Sequence, residues 1–154
     1  MPSSLTIIFA SISGHTEHVV DVIEASLKKS LPALVVRRIR AEMATKEDLE
    51  KADALLLASG TWNTGGAEGQ LNPYMHELLI DKCKDTKLPA KPMAFVSLGD
   101  DRYYFTARCT EGFLRFLKEC GGKQILPPLI VVNEPYDQHE RIERWTEKLA
   151  TGLR

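Results

Sequence analysis

The run Asp53-Ala54-Leu55-Leu56-Leu57-Ala58 narrows the fold more than any other stretch of the chain. Its apolar residues are consecutive rather than alternating, so neither side of the segment is left for water. A strand of this kind is covered by helices on both faces of a parallel sheet. Further apolar or β-branched runs lie on either side: Leu5-Thr6-Ile7-Ile8-Phe9-Ala10, Leu34-Val35-Val36 running on to Ile39, and Lys91-Pro92-Met93-Ala94-Phe95-Val96-Ser97-Leu98. A last strand, Gln124-Ile125-Leu126 and then Leu129-Ile130-Val131-Val132, is interrupted by Pro127-Pro128, which an edge position tolerates.

Helical spacing fills the intervals. Val19, Val20, Ile23 and Leu27 define a helix from Thr16 to about Ser30, stopped by Leu31-Pro32. Thr45-Lys46-Glu47-Asp48 resembles a capping box opening a short polar helix. Leu71, Met75, Leu78 and Leu79 predict a third helix. Phe113, Phe116, Leu117 and Cys120 predict a fourth, closed by Gly121-Gly122, and Ile142, Trp145 and Leu149 face inward on a last helix starting at Asp137. Strands alternating with helices give an α/β fold: a five-stranded parallel sheet, helices on both faces, with 2-1-3-4-5 the expected order. The 154 residues suit one domain over 1–154, with no repeat or linker.

Composition removes several classes of function. The net charge of -1 creates no global field for nucleic acid or an anionic membrane. Arg37, Arg38 and Arg40 form the one basic spot and read as a solvated edge or a helix-facing surface. Three cysteines with no CxxC or CxxH spacing indicate neither a disulfide framework nor a zinc site. The first apolar run is too short to be a signal or membrane segment, so a cytoplasmic protein is expected.

In a doubly wound sheet, ligands bind beyond the carboxyl ends of the strands at the switch point. Three loops converge there. The first, Ser11-Ile12-Ser13-Gly14-His15-Thr16, offers hydroxyls and a helix start without a basic residue, which suits a phosphate or serves as an ordinary N-cap. The second, Ser59 to Gly69, carries Trp62 among glycines, and the third, after Gly99-Asp100, carries Tyr103, Tyr104 and Phe105. A large aromatic in a polar loop has few core neighbours, so a ligand with a phosphate at one end and a flat ring at the other explains Trp62 best. Other occupants of this topology need residues that are missing. A phospho-receiver domain requires acids after strand 1 and an aspartate after strand 3, where Ser11, Ser13, Ser59 and Gly60 stand. A small tyrosine phosphatase requires a cysteine and an arginine in the first loop, and a dinucleotide site requires GxGxxG, where Gly14 stands alone.

Ser11-Ile12-Ser13-Gly14-His15-Thr16 resembles the S/T-x-T-G-x-T phosphate loop of flavodoxins. Gly60-Thr61-Trp62-Asn63 resembles their tryptophan loop and Leu98-Gly99-Asp100 through Tyr103 their third, in the same order, over nearly the whole chain. The last strand lacks the insertion of the long-chain group, which places the sequence with short-chain bacterial members. The resemblance implies a flavodoxin-like fold, noncovalent FMN, and a low-potential one-electron carrier with no catalytic acid or base. Ser11, Ile12, Ser13, Gly14, His15 and Thr16 would hold the phosphate, and Trp62 and Tyr103 would flank the ring. Backbone groups of Gly60, Thr61, Asn63, Gly99, Asp100 and Ala107 would meet its polar edge.

Two departures matter. The family flips the peptide after the tryptophan, usually at a glycine; here the position is Asn63, the next most tolerant residue, so the flip is expected at greater cost. The near-neutral charge contrasts with the acidity that steers family members to basic partners. Glu68, Asp100, Asp101 and Glu111 could still form a local patch, diluted by Arg102 and Arg108. Transient redox partners, a reductase and an acceptor, and a monomer are expected. An FMN-dependent NAD(P)H or quinone reductase is the enzymatic alternative, and a flavin-free interaction domain is the third.

Overall fold

The computed structural model describes residues 2–62, 69–100 and 108–154. Strand β1 (Ser4–Ala10) leads into helix α1 (His15–Ser30), then β2 (Val35–Arg40), a single 3-10 turn (Ala41–Met43) and the short helix α2 (Lys46–Lys51). Strand β3 (Ala54–Trp62) is followed by the two-residue β4 (Gln70–Leu71) and α3 (Pro73–His76), which runs on as a wider π turn through Lys82. Then come β5 (Pro92–Gly99), α4 (Thr110–Cys120), β6 (Lys123–Gln124), β7 (Leu129–Val132) and α5 (His139–Leu153).

Strands β2, β1, β3 and β5 pair in parallel in that order, and β6 and β7 pair with the two ends of β5. The interrupted strand around Pro127-Pro128 is thus two segments sharing one edge place, and the expected 2-1-3-4-5 order holds. The break follows from chemistry: proline has no N–H to give to a ladder.

Alternation along the central strands splits the core in two. Leu5, Ile7, Phe9, Leu56, Ala94 and Val96 pack with α1 and α5 on one face. Ile8, Leu55, Leu57, Met93 and Phe95 pack with α3 and α4 on the other, where the Phe95 and Phe113 rings stack 5.2 Å apart. Each fully buried aliphatic side chain contributes about 1.5–3 kcal/mol relative to exposure, which explains why residues 54–58 of β3 carry no polar side chain. Trp145 is in the first layer, its Nε1–H donating to the Pro127 carbonyl at 2.9 Å.

The ends of several elements differ from the sequence reading. Ser59–Trp62 does not begin a loop: β3 continues through Trp62 because β4 returns antiparallel to it, Thr61 opposite Leu71 and Trp62 opposite Gln70. Leu71 therefore lies in a strand, and α3 starts later, at Pro73. Its cap is Asn72, whose Oδ1 accepts the Tyr74 N–H at 2.9 Å. Helix α5 begins at His139 rather than Asp137, because the Gln138 N–H closes a turn on the Pro135 carbonyl at 3.0 Å and its Nε2 donates to the Val132 and Glu134 carbonyls. The box at Thr45 forms as expected, with the Asp48 carboxylate accepting the Thr45 N–H at 2.8 Å and its hydroxyl at 3.1 Å. Among the described residues no helix is long and apolar enough to cross a membrane.

Candidate functional site

Parallel pairing brings the carboxyl ends of β1, β3 and β5 to one edge. Ala10 lies opposite Ser59, and Gly60 opposite Leu98, so the residues that follow these strands share one rim. The first of them is built around Ser11. Its Oγ accepts the N–H of Gly14 at 3.1 Å and that of Glu17 at 3.4 Å, folding the loop over the start of α1. Gly14 turns the chain at φ 91°, a conformation that costs a side chain but not glycine. The first N–H groups of α1 have no partner within the helix and face the rim with the positive end of its dipole. Thr16 is buried, His15 is half-buried, and Ser13 and Ile12 are exposed, Ile12 by 56%.

No lysine or arginine stands between residues 11 and 16. The three arginines of β2 lie on the neighbouring strand and are engaged elsewhere. Arg38 pairs with Asp21 at 2.7 Å and Glu24 at 3.2 Å on α1, Arg40 pairs with Glu17, and Arg37 pairs with Asp48 at 3.2 Å. The guanidiniums of Arg38 and Arg40 also lie about 5 Å from the Phe9 ring centre. The helix-facing reading of this spot is the one realised. Among the described residues, an anion at the loop is met by N–H groups, hydroxyls and the His15 imidazole, with no lysine or arginine.

The second rim is rigid below and open above. The Thr61 hydroxyl donates to the Leu98 carbonyl at 2.8 Å and accepts the Cys109 N–H at 3.4 Å, joining the ends of β3 and β5 to the approach to α4. The Asn72 N–H donates to Ser59 Oγ at 3.0 Å, and Thr110 Oγ1 donates to Ser97 Oγ at 2.6 Å. Burial pushes the Cys109 thiol upward, so it is a packed S–H and not a nucleophile. Above this floor the Trp62 indole leans back over Gly60: a Cβ there would meet its Nε1 at 3.3 Å. Trp62 remains 39% exposed, whereas Trp145 is buried.

The third rim adds residues the sequence reading missed. Gly99 and Asp100 share an open cleft of about 950 Å3 with His15 and the segment between β7 and α5, including Asn133, Glu134, Tyr136 and Gln138. Asn133 adopts φ 67°, and its N–H donates to the Gly99 carbonyl at 2.7 Å. Asn-Glu-Pro after a strand signals a turn, but nothing local places that turn beside the first loop. Asn63, Tyr103 and Ala107 lie outside the described residues, as do Glu68, Asp101 and Arg102.

Among the described residues this arrangement is that of an α/β protein able to seat an anion beside a flat ring, with an N–H cradle lacking lysine and arginine at one end and an uncovered indole at the other. A family model described as Flavodoxin matches residues 7–145, and the chain belongs to that family. It is similar to "Probable flavodoxin 2" of Bacillus subtilis (strain 168), 24% identical over 138 residues that cover 90% of this chain and 87% of that protein. Among solved structures it resembles oxidised Flavodoxin 2 from Bacillus cereus (TM-score 0.86, 25% identity, 96% of this chain and 98% of that one). It also resembles oxidised Flavodoxin 1 from Bacillus cereus (TM-score 0.84, 24% identity, 97% and 98%). The protein is an FMN-binding electron carrier of the short-chain bacterial kind, not an enzyme.

Proposed function

We propose that the FMN phosphate is held by residues 11–16 and that Trp62 and Tyr103 flank the ring. Backbone groups of Gly60, Thr61, Asn63, Gly99, Asp100 and Ala107 would meet the ring's polar edge. What supports this most is the cradle itself: among the described residues, Ser11, Gly14 and the N-terminus of α1 offer N–H and hydroxyl donors with no lysine or arginine beside them. FMN supplies reversible uptake of electrons at its ring; the chain supplies position and field. A dianion held without a cation leaves negative charge nearby uncompensated, which opposes adding more and keeps the working potential low. The backbone after Trp62 sets the proton acceptor near the ring. Asn63 stands there instead of glycine, so the two one-electron potentials lie closer together than in an Asn63→Gly variant.

The chain would act as a monomeric cytoplasmic shuttle, with residues 1–154 as one FMN domain docking transiently on a reductase and then on an acceptor. The test is direct. The purified protein is expected to be yellow and to release one FMN per chain on unfolding. It should run as a monomer in light scattering and exchange single electrons with a reductase while leaving NAD(P)H unoxidised on its own. A dimer that oxidises NAD(P)H unaided, or a colourless chain that refuses FMN, would overturn the reading.

A further inference from the structure

At the corner where α1 and α5 begin, two imidazoles converge. His18 Nε2 and His139 Nε2 are 2.8 Å apart, the rings tilted by 36° with centroids 4.9 Å apart. His18 sits one turn into α1 and His139 is the first residue of α5, so the pair spans two helices that also pack through apolar side chains. The Tyr136 ring stands edge-on against His18 at 4.7 Å and against His15 at 5.5 Å, fixing the orientation of the first imidazole. Two histidines on exposed helix starts usually stay apart and hydrated. Here their Nε2 atoms meet at hydrogen-bond distance.

We propose that His18 and His139 form a chelating site for a late divalent transition metal, Cu(II) or Ni(II), beside the loop proposed for the FMN phosphate. Imidazole nitrogens bind such ions at about 2.0–2.1 Å, so two nitrogens already 2.8 Å apart can share one ion at an N–metal–N angle near 90° once both rings turn from each other towards it. A right angle suits the cis positions of a tetragonal or square-planar ion, whereas tetrahedral zinc asks for a wider one. Among the described residues no third His, Cys, Asp or Glu completes the site, so water fills the remaining positions. In the metal-free protein one ring donates its Nε2–H to the other. Binding needs that proton to move to Nδ1 of the same ring, which leaves both imidazoles neutral and both Nε2 lone pairs on the metal.

The test titrates the oxidised, FMN-loaded protein with Cu(II), Ni(II) and Zn(II), following heat and, for copper, the electron paramagnetic resonance spectrum. One saturable Cu(II) site is expected, with a tetragonal spectrum split by two nitrogens and Zn(II) bound more weakly. Altered outer-shell partners alone cost 10–100-fold in metal affinity, so losing a ligand in His18→Gln or His139→Gln should weaken binding at least about tenfold. His76→Gln, elsewhere on the molecule, should bind as the wild type does. Both imidazoles are on the surface, and unchanged melting curves confirm that the variants fold. Absence of a saturable site, or affinity that survives either substitution within tenfold, overturns the proposal.

Discussion

Gly14 and Trp62 show how much one residue can carry in a site built mostly from backbone. Gly14 has open space where a Cβ would project, so the barrier to substitution is conformational and not crowding. Holding an L residue in the left-handed region costs about 1–2 kcal/mol. Gly14→Ala is therefore expected to destabilise the flavin-free protein by about that amount in urea unfolding and to weaken FMN retention as the loop relaxes. Equal stability and equal FMN affinity would show that the loop does not depend on this φ. The two tryptophans diverge for a reason visible in the sequence. Trp145 falls at helical spacing from Ile142 and Leu149 and is buried, while Trp62 follows Gly60-Thr61 with no apolar period around it and stays half-exposed. What the sequence did not show is that Trp62 belongs to a strand, because its partner Gln70 pairs across a hairpin.

At the scale of elements, α4 and β4 meet unusually closely. A Cβ on Gly112 would lie 2.9 Å from Leu71 Cγ, nearer than real contacts permit, so the glycine lets the helix seat against β4 and hold the base of the tryptophan hairpin. Overpacking of this kind typically costs about 1–3 kcal/mol. Gly112→Val is expected to fall in that range by denaturant unfolding, and adding Leu71→Ala should recover part of the loss. If the two changes are strictly additive, the contact is not what constrains position 112. The helices were legible from apolar period and caps, including Thr45 and Gly121, which closes α4 at φ 77°. The late starts of α3 and α5 were not, because both are set by hydrogen bonds to residues on other elements or turns.

Across the whole molecule, the amino ends of β1 and β3 are tied by one carboxylate. Asp53 Oδ2 accepts the hydroxyls of Ser3 at 2.7 Å and Ser4 at 3.0 Å and both of their N–H groups. The Ser3 hydroxyl, then that of Ser4, holds the Asp53 carboxyl below its ordinary 3.8. A carboxyl lowered in the folded state adds stability above its unfolded value, and that stability is lost as pH falls from there through the folded value. Asp53→Asn should therefore be less stable than wild type near neutrality, with the two curves converging below about pH 3.8. A gap that persists in acid would show that the tether works without the charge.

The sequence by itself determined the layers and the place of the site. Unbroken apolar runs can be satisfied only between two helical layers, and parallel strands put every loop that follows them on one edge. Only the tertiary structure decided where β3 ends, which acids take Arg38 and Arg40, and that the 133–138 segment walls the cleft beside His15 and Asp100. It also brought His18 within bonding distance of His139. Those outcomes depend on pairings between residues far apart in the chain, and such contacts leave no period, cap or motif in the local sequence from which they could be read.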